Sequence, residues 1–450
     1  MRCPRFYGLL AVVTAILVSC CPTTAFAWGH GHKIIRTWAV GHIPSWQRAL
    51  VGEEHWRNLT TNYTSLQDKY AGSKAAELVK YCEPPAKLSL HDVGSIEASL
   101  VDIQWYIENI LDELAAGQPD EAMKFLGVLC HWNEDPGCPS AHSSPIDEAT
   151  LRRLVPPTKE LANKNYLFGY GGIADTGTYT IPDVDYAPKL LGATIPEAAA
   201  RIYQNQRLLR QYAAGHIVPI VQAVVAGDAE RADQFRASAA AYNARHTADV
   251  IYTVFCLAEK RFETEAIAAL KTQRLSDWES DARMQMIPHP YYVTPFLVDQ
   301  AMDAKRKLHP LAFPGEGEAT SVQFGLGMGA PYTLTYKIGP GVVFDRFTCR
   351  VGLHPTAGEN GKVAFAVRIN GQEAHRTEFL AAGAKPVGIE VPLPDTPVLT
   401  LELQTISDPD STPDHNLTVW AEPSLHRADD MPFRQPKAES STTSAKPNAP

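Results

Sequence analysis

The chain has 450 residues, of which 45% are hydrophobic and 20% are charged, and this composition is typical of a globular protein. A chain of this length exceeds what one hydrophobic core usually serves, so we expect two domains. The formal net charge of −9 excludes a general basic surface of the kind that binds nucleic acids, and any polyanion would need a local cationic feature such as bound zinc.

The first 27 residues have the features of a secretion signal. Arg2 and Arg5 provide a positive start, and Leu9–Val18 is an apolar run too short to span a membrane. Cleavage is expected after Ala27, which ends a small-x-small site. We therefore expect a signal peptide at residues 1–27 and a secreted or periplasmic protein.

A second processing site lies in the same segment. The run that ends at Cys20 is similar to a bacterial lipoprotein signal, in which that cysteine carries the lipid. Cleavage there would leave Trp28 inside the mature chain, whereas cleavage after Ala27 would make Trp28 the terminal residue. The alternative localisation is therefore a lipid anchor through Cys20.

The helical pattern dominates from Trp28 to about Leu308. Residues 95–115 space their apolar side chains at three and four, and a second helix begins after Pro119 and runs to His131. Residues 140–195 are irregular. Further along the chain we expect long helices at about 196–226 and 229–261, a break at 277–295 and a short helix at 297–307.

Short β-type runs replace the helices after a linker at residues 309–322. They lie at 332–338, 344–351, 363–369, 388–393 and 398–405. Asn370-Gly371 is a tight-turn signal after the third run. These features predict a helical domain at 28–308, a β-sandwich at 323–426 and a disordered tail at 427–450.

Five cysteines follow the signal, which is an odd number for an exported protein. They are Cys82, Cys130, Cys138, Cys256 and Cys349. Two alternatives are open for the second and third: a bridge that closes the short loop between them, or a buried thiol at Cys130 on a helix.

Potential metal ligands recur between residues 28 and 142. His131-x-x-x-Asp135 places an imidazole and a carboxylate on one helical face, and His142 follows a Pro-Gly turn that can fold it back. Upstream, His91 precedes the first long helix, and Asp68 lies in a loop-like stretch. Zinc binds histidine nitrogen and aspartate oxygen, and a catalytic zinc keeps one position open for water.

The stretch Trp28-Gly-His-Gly-His32 adds to this set. A terminal amine and its own carbonyl can chelate a metal, and His30 or His32 can supply the next ligand. Each candidate taken alone has a structural interpretation, as a cap, a helix end or a polar terminus. Their order along the chain favours the metal site.

On these residues, the region 28–142 resembles the zinc-dependent phospholipase C and single-strand nuclease superfamily. The resemblance implies an exported helical enzyme that begins at a tryptophan and holds up to three zinc ions. It implies metal ligands at Trp28, His32, Asp68, His91, His131, Asp135 and His142.

The resemblance also implies a role for each ligand. Asp135 would bridge two ions, with Trp28 and His32 on the third zinc. The first zinc would be completed by Asp68, to which we also assign a catalytic role, and by His91 and His131. A metal-bound hydroxide would be the nucleophile.

Two features depart from that family. Trp28 and His32 are one residue closer than in the nucleases, which keeps His30 open as the ligand. The family has a second His-x-x-x-acid pair soon after the position of His142, whereas residues 150–200 contain no histidine. The nearest substitutes for this second site are His216, His246 and Asp249.

The region 323–425 resembles the NPCBM group, a carbohydrate-binding β-sandwich often joined to glycosidases. The matching stretches are Phe344-Asp-Arg-Phe347, Val351-Gly-Leu353, Val363–Val367, Asn370-Gly371, Asp414-His415 and Trp420–Leu425. His415 and Trp420 stand further apart than in the group's Asp-His-x-x-Trp. We expect Trp420, like the two phenylalanines, to pack in the core rather than to contact a sugar.

Together these features predict a multidomain fold, with a mainly α-helical domain followed by an all-β sandwich, and a secreted zinc-dependent phosphodiesterase. Its substrate would be a phospholipid headgroup or a nucleic acid, and its C-terminal module would bind a glycan or a surface. No stable protein partner is expected. The alternative is a catalytically degenerate zinc-binding domain that acts as a glycan- or surface-binding protein.

Overall fold

A computed structural model describes residues 28–89, 91, 93–167, 172–283, 296–339 and 343–427. The expected signal peptide with its two processing sites, and the expected tail beyond residue 427, lie outside these residues. The described chain is helical up to Leu270 and mostly strand from Thr272 onward, which confirms a helical region followed by a β-sandwich. No helix in the described ranges is both long and apolar enough to cross a membrane.

The helices follow one another along the N-terminal region. Their bounds are α1 Gly29–Gly41, α2 Ser45–Val51, α3 Glu53–Thr61, α4 Leu66–Ser73, α5 Val79–Cys82, α6 Ile96–Ala115, α7 Pro119–Glu134, α8 Glu148–Leu154, α9 Ile195–Val225, α10 Ala229–Glu259 and α11 Thr264–Leu270. Three of the expected long helices therefore agree with the structure to within two residues, and the second continues three residues past His131. Asp68 lies on the short helix α4, so its expected loop position is wrong.

Helix ends in this region follow local chemistry. The Ser95 side chain accepts a hydrogen bond from the Ala98 N–H and caps α6. Gly117, with φ of 71°, ends the turn after that helix, and Pro119 begins α7, where a missing N–H costs nothing. The helix that carries His131 is therefore positioned by turn chemistry at its start.

The strands are short before residue 332 and longer after it. Their bounds are β1 Thr272–Arg274, β2 Asp281–Arg283, β3 Phe296–Val298, β4 Gln300–Met302, β5 Leu308–Pro310, β6 Ala312–Phe313, β7 Thr320–Ser321, β8 Gly325–Met328, β9 Tyr332–Ile338, β10 Phe344–Leu353, β11 Lys362–Ile369, β12 Gln372–Arg376, β13 Leu380–Ala381, β14 Val387–Pro392, β15 Leu399–Ser407 and β16 Thr418–Arg427. The expected helix at 297–307 is wrong, because this segment forms β3, β4 and the start of the pairing with β5.

Two antiparallel sheets make the sandwich. One has the order β14-β10-β16-β8-β3 with β1 beside β16, and the other has the order β12-β11-β15-β9-β2 with β13 beside β11. Asn370 and Gly371 both have positive φ and form the expected tight turn between β11 and β12. Strands from 272–298 pair into these sheets, so the sandwich extends N-terminally of the expected linker.

Alternating apolar side chains from both sheets fill the sandwich core. Trp420 is completely buried and meets Phe365 edge-to-face, with ring centroids 5.5 Å apart. Phe344 and Phe347 belong to the same cluster. The expectation that these aromatic residues pack in the core is confirmed.

All five cysteines that follow the signal are free and buried in the structure. The bridge between Cys130 and Cys138 is therefore not formed. Cys130 is instead a buried thiol on α7, as the alternative interpretation proposed. Burial raises the pKa of this thiol to about 12, so it stays neutral and inert.

The chain divides into two compact units. The first contains the described residues up to 92 together with 117–187 and 209–248, and the second contains 93–116, 188–208 and 249–427. Every candidate ligand between Trp28 and His142 belongs to the first unit. The sandwich belongs to the second.

Candidate metal centre

The end of α7 is the centre of the candidate site. His131 lies in the last turn of the helix, and Asp135 begins the 3-10 turn that follows it. The His131 Nε2 and the Asp135 Oδ2 are 3.4 Å apart, as expected for side chains four residues apart on one face. Both side chains are fully buried.

Segments from elsewhere in the chain bring the other predicted ligands to Asp135. The His32 Nε2 lies 3.3 Å from its Oδ1, and the His91 Nδ1 lies 2.7 Å from its Oδ2. The imidazole rings of His32 and His131 stack with centroids 4.0 Å apart. Asp135 therefore contacts three histidines from three separate segments.

Asp68 and His142 complete the cluster. The Asp68 Oδ1 lies 3.6 Å from the His131 Nε2, and the ring of His142 stacks on that of His91 with centroids 5.8 Å apart. The Pro-Gly turn after Asp135 thus folds His142 back, as the sequence predicts. All six predicted side-chain ligands meet in one place.

These residues form three overlapping groups, in each of which the donor atoms lie within 4.8 Å of one another. The groups are His32-His131-Asp135, Asp68-His91-His131 and His91-Asp135-His142. Each is a set of imidazole nitrogen and carboxylate oxygen, which are donors that zinc accepts. Three of the six residues belong to two groups.

Hydrogen bonds outside the cluster fix two of the imidazole rings. The His131 Nδ1 lies 2.7 Å from the Thr64 carbonyl oxygen, which can only accept, so Nδ1 carries the proton and Nε2 faces the cluster with its lone pair. The His32 Nδ1 donates to the Glu134 carboxylate at 2.7 Å, and its Nε2 likewise faces Asp135. Metal-binding histidines adopt this tautomer, in which the ring nitrogen away from the metal donates to a carbonyl or carboxylate oxygen.

Glu134 is itself held by a buried guanidinium. The Arg36 Nε donates to one of its carboxylate oxygens at 2.9 Å, and Nη2 donates to the other at 3.2 Å. Both side chains are fully buried. This bidentate pair keeps Glu134 charged and lowers its pKa, although burial alone would raise it.

The electrostatics of the cluster follow from charges packed together out of water. Burial alone would lower the pKa of His32, but the Asp135 and Glu134 carboxylates beside its two ring nitrogens prevail and raise that pKa to about 10. The pKa of His91 is raised in the same way, because its hydrogen bond to Asp135 outweighs burial. Burial alone would raise the pKa of Asp135, but the surrounding histidines hold it well below its usual value.

Two buried atoms in the cluster that could bind a metal have no hydrogen-bond partner. They are the Nε2 of His131 and the Oδ1 of Asp135. Buried polar atoms are nearly always paired, so such atoms call for an explanation. A metal ion that accepts both lone pairs would satisfy them, and the residues therefore fit a zinc site.

Trp28 packs against the cluster through its indole. Its indole is buried with Cys138, Tyr179 and two alanines of α10, and it meets the His32 ring at a centroid distance of 6.4 Å. Its carbonyl accepts the His32 N–H at 3.1 Å. A Cβ at Gly31 would lie 2.6 Å from the indole, so this glycine permits the packing.

The substitutes considered for a second zinc site do not join the cluster. His216 donates through Nδ1 to the Tyr212 carbonyl within its own helix. Asp249 accepts the Lys189 N–H at 2.7 Å, and His246 meets the ring of Tyr242. None of the three belongs to a metal-compatible group of the described residues. The side chain of His30, the alternative to His32, lies outside what the structure describes.

The residues that support the cluster, among them Glu134, Arg36 and Thr64, were not predicted from the sequence. One signal was present: Glu134 and Asp135 place two acids at a helix C-terminus, where the helix dipole disfavours negative charge. Arg36 was also four residues after His32 and hence on its helical face. The contact from Thr64 gives no signal in the sequence, because it is made by a backbone carbonyl.

The outer face of the first sheet carries a polar pocket of about 360 Å³. Its lining includes Phe324, Thr348, Arg350, Glu422 and Ser424. The Arg350 Nη2 donates to the Glu422 carboxylate at 3.0 Å, and both side chains are more than a third exposed. Glu422 has φ of 53° at a register shift between β10 and β16, which turns its carboxylate toward the pocket rim.

Comparison with known protein families gives a match in the C-terminal region. Residues 271–426 match the family model described as NPCBM/NEW2 domain. The C-terminal sandwich is an NPCBM-type domain. The match begins one residue before β1, so the NPCBM domain includes the strands that precede the expected linker. The resemblance inferred for this region is confirmed.

Solved structures with similarity to part of this chain include bacterial CBM51 modules. One is a CBM51 from Clostridium perfringens GH95 in complex with methyl-galactose, at 18% identity and a TM-score of 0.28, covering 34% of this chain and 99% of that one. Another is the pair of tandem CBM51 modules of a family 98 glycoside hydrolase from Streptococcus pneumoniae, at 16% identity and a TM-score of 0.30, covering 36% of this chain and 48% of that one. No curated protein matches this sequence.

Proposed function

We propose that the His/Asp cluster binds zinc and that the protein is an exported zinc-dependent phosphodiesterase with a glycan-binding module. One observation carries the proposal. Six potential ligands, Asp135 among them, meet in one cluster, and two of their atoms are buried without a hydrogen-bond partner. A purely structural role for these histidines gives no reason for them to meet with their lone pairs facing inward.

The protein's own groups have distinct tasks in this proposal. In their neutral forms, His32 and His131 present Nε2 lone pairs whose direction is fixed by Glu134 and by the Thr64 carbonyl. Asp135 belongs to two of the three groups, so its two oxygens suit a bridge between ions. When bound, zinc lowers the pKa of water and neutralises charge on the phosphate.

The shared ligands favour fewer ions than the family resemblance implies. Zinc takes about four ligands, and a catalytic ion keeps one for water. Six side chains with three members in common suit ions that share ligands rather than three ions with separate sets. We therefore propose one or two zinc ions, held around Asp135.

The proposed substrate is a phosphate ester, either a phospholipid headgroup or a nucleic acid. The net charge of −9 makes local zinc the feature that attracts a polyanion. A zinc-binding protein without hydrolytic activity is the second candidate. The absence of His216, His246 and Asp249 from the metal-compatible groups of the described residues favours it, because it leaves the second site of the family without its ligands.

A hydrolysis assay on the mature full-length chain tests the enzyme proposal. The substrates are bis(p-nitrophenyl) phosphate, phosphatidylcholine and single-stranded DNA, each with zinc and with a chelator. We expect activity that the chelator and Asp135→Asn each reduce at least about 100-fold. Asp120→Asn is the matched control, because Asp120 lies on the same helix, half exposed, outside the cluster. Zinc binding without turnover of any substrate would support the second candidate instead.

We also propose that the polar pocket of the NPCBM domain binds a sugar. Arg350 and Glu422 offer charged donors and acceptors for hydroxyl groups, and Thr348 and Ser424 add two hydroxyls. Glycan-array binding of the full-length chain tests this. We expect Arg350→Ala to reduce binding at least about tenfold. Arg346→Ala on the same strand and outer face is the control, and equal losses in both variants would contradict the assignment.

A further inference from the structure

The segment before Tyr179 forms a turn beside Trp28, and hydrogen bonds on its backbone hold it in place. The Ala174 N–H donates to the Tyr166 carbonyl at 2.9 Å, and the Ile173 N–H donates to Asn165 at 3.0 Å. From α10, the Arg236 guanidinium donates to the carbonyls of Ile173 and Ala174 at 2.6 and 3.2 Å. Asp175 follows directly in the chain, so these contacts fix the backbone that leads into it.

The Asp175 carboxylate meets the backbone of Trp28. It accepts a hydrogen bond from the Trp28 backbone N–H. Its Oδ1 is buried and has no hydrogen-bond partner. The nearby indole of Trp28 packs against Tyr179, four residues after Asp175, so the two segments are held together by apolar contact as well.

A free terminus at Trp28 would supply what this carboxylate lacks. An amide nitrogen has one hydrogen, which the carboxylate already accepts. A terminal amine has two hydrogens and a lone pair when neutral, so it can serve both carboxylate oxygens and still coordinate a metal. Carboxylates that accept from metal-binding groups orient them and increase their basicity.

We propose that Asp175 is the positioning residue for the α-amine of mature Trp28. It holds the nitrogen through both N–H groups and leaves the lone pair for zinc. This inference rests on the proposed cleavage after Ala27 and on the proposed zinc site. It assigns a function to a residue that lies more than thirty positions beyond the last predicted ligand.

Four proteins test the inference: the chain that begins at Trp28 and the same chain extended by one glycine, each with Asp175 or with Asp175→Asn. The first measurement is the rate at which acetic anhydride labels the α-amine in chelator, followed by mass spectrometry of the N-terminal peptide. We expect the Trp28 amine to react about tenfold more slowly than the glycine amine, because a charge-assisted hydrogen bond holds it. Asp175→Asn should remove this difference.

The second measurement is the zinc affinity of the same four proteins. We expect Asp175→Asn to weaken zinc binding about 10–100-fold in the chain that begins at Trp28, as for other groups that support ligands. In the extended chain the substitution should have no further effect. Asp233→Asn is the matched control, because Asp233 is a partly buried carboxylate that pairs with Arg236 rather than with Trp28.

The two measurements separate this inference from the zinc proposal. In the two chains that keep Asp175, equal labelling rates for the Trp28 amine and the added glycine amine would overturn the role of Asp175. This holds whatever the zinc content. The same conclusion would follow if Asp233→Asn released the amine as fully as Asp175→Asn did. Slow labelling that Asp175→Asn abolishes, in a chain that binds no zinc, would uphold the contact and refute the zinc site.

Discussion

At the scale of single residues, Asp135 and Glu134 have different roles in the cluster. Asp135 contacts three histidines, and Glu134 holds one of them from behind while it pairs with Arg36. Burying so many charges is costly unless each has a partner. The arrangement therefore makes the supporting carboxylate as sensitive to substitution as the ligands.

Glu134→Gln tests that support. The neutral amide leaves the Arg36 charge buried without a counter-charge, so we expect a loss of about 3–5 kcal/mol in the free energy of unfolding. Zinc affinity should fall about 10–100-fold, because His32 loses the carboxylate behind its Nδ1. Urea unfolding and zinc titration measure the two effects. A variant as stable as the parent would show that the Arg36 pair is not buried as described.

Zinc binding should release protons. The pKa of His32 is raised to about 10, so His32 is protonated at neutral pH in the metal-free chain, and the pKa of His91 is also raised. A metal binds only the neutral imidazole, so zinc must displace these protons, and its apparent affinity must rise with pH between 6 and 8. Calorimetry at pH 7 in buffers of different ionisation enthalpy measures the release. No release, or affinity that falls with pH, would contradict the described electrostatics.

At the scale of elements, the turn after α7 determines where Asp135 points. The Asn243 Nδ2 of α10 donates to the Glu134 carbonyl at 2.6 Å. This bond satisfies a carbonyl that the end of the helix leaves open. A Cβ at Gly137 would collide with the same Asn243 amide. The turn and α10 therefore fit together only with glycine at this position.

Gly137→Ala should disturb this junction. We expect a loss of about 1–3 kcal/mol in unfolding free energy from overpacking, with lower zinc occupancy because the Asn243 bond is displaced. Gly215→Ala is the matched control, because a Cβ there meets nothing within 4 Å inside α9. That control should be neutral or slightly stabilising. Thermal unfolding and metal content measure both variants, and similar behaviour in the two would contradict the packing.

The elements also show what the sequence determines. The helix from Pro119 and the strand Tyr332–Ile338 were predictable, because their apolar spacing and end residues are local. The helix expected at 297–307 was wrong because Leu297 and its neighbours pair with β8, a contact that spacing does not encode. The six candidate side chains that meet around α7 could be named from their order and residue type. Thr64, Asn243 and Asp175 could not, since their contributions depend on tertiary contacts.

At the scale of the whole molecule, the candidate centre and the NPCBM domain belong to different compact units. Substitutions at side chains that share no partner usually have additive effects. Trp420→Ala should therefore cost the sandwich about 3–5 kcal/mol through an unfilled core space and leave zinc content unchanged. Denaturant unfolding with metal analysis measures this, and zinc loss on the substitution would contradict the independence of the units.

The zinc content of the purified chain that begins at Trp28 tests the central claim most directly. Plasma mass spectrometry of the parent protein and of Asp135→Ala, after removal of loosely bound metal, gives the two values to compare. We expect one or two zinc ions per parent chain and well under one in the variant, because Asp135 belongs to two of the three ligand groups. A parent chain without zinc, or a variant that retains the parent's zinc, would contradict the account.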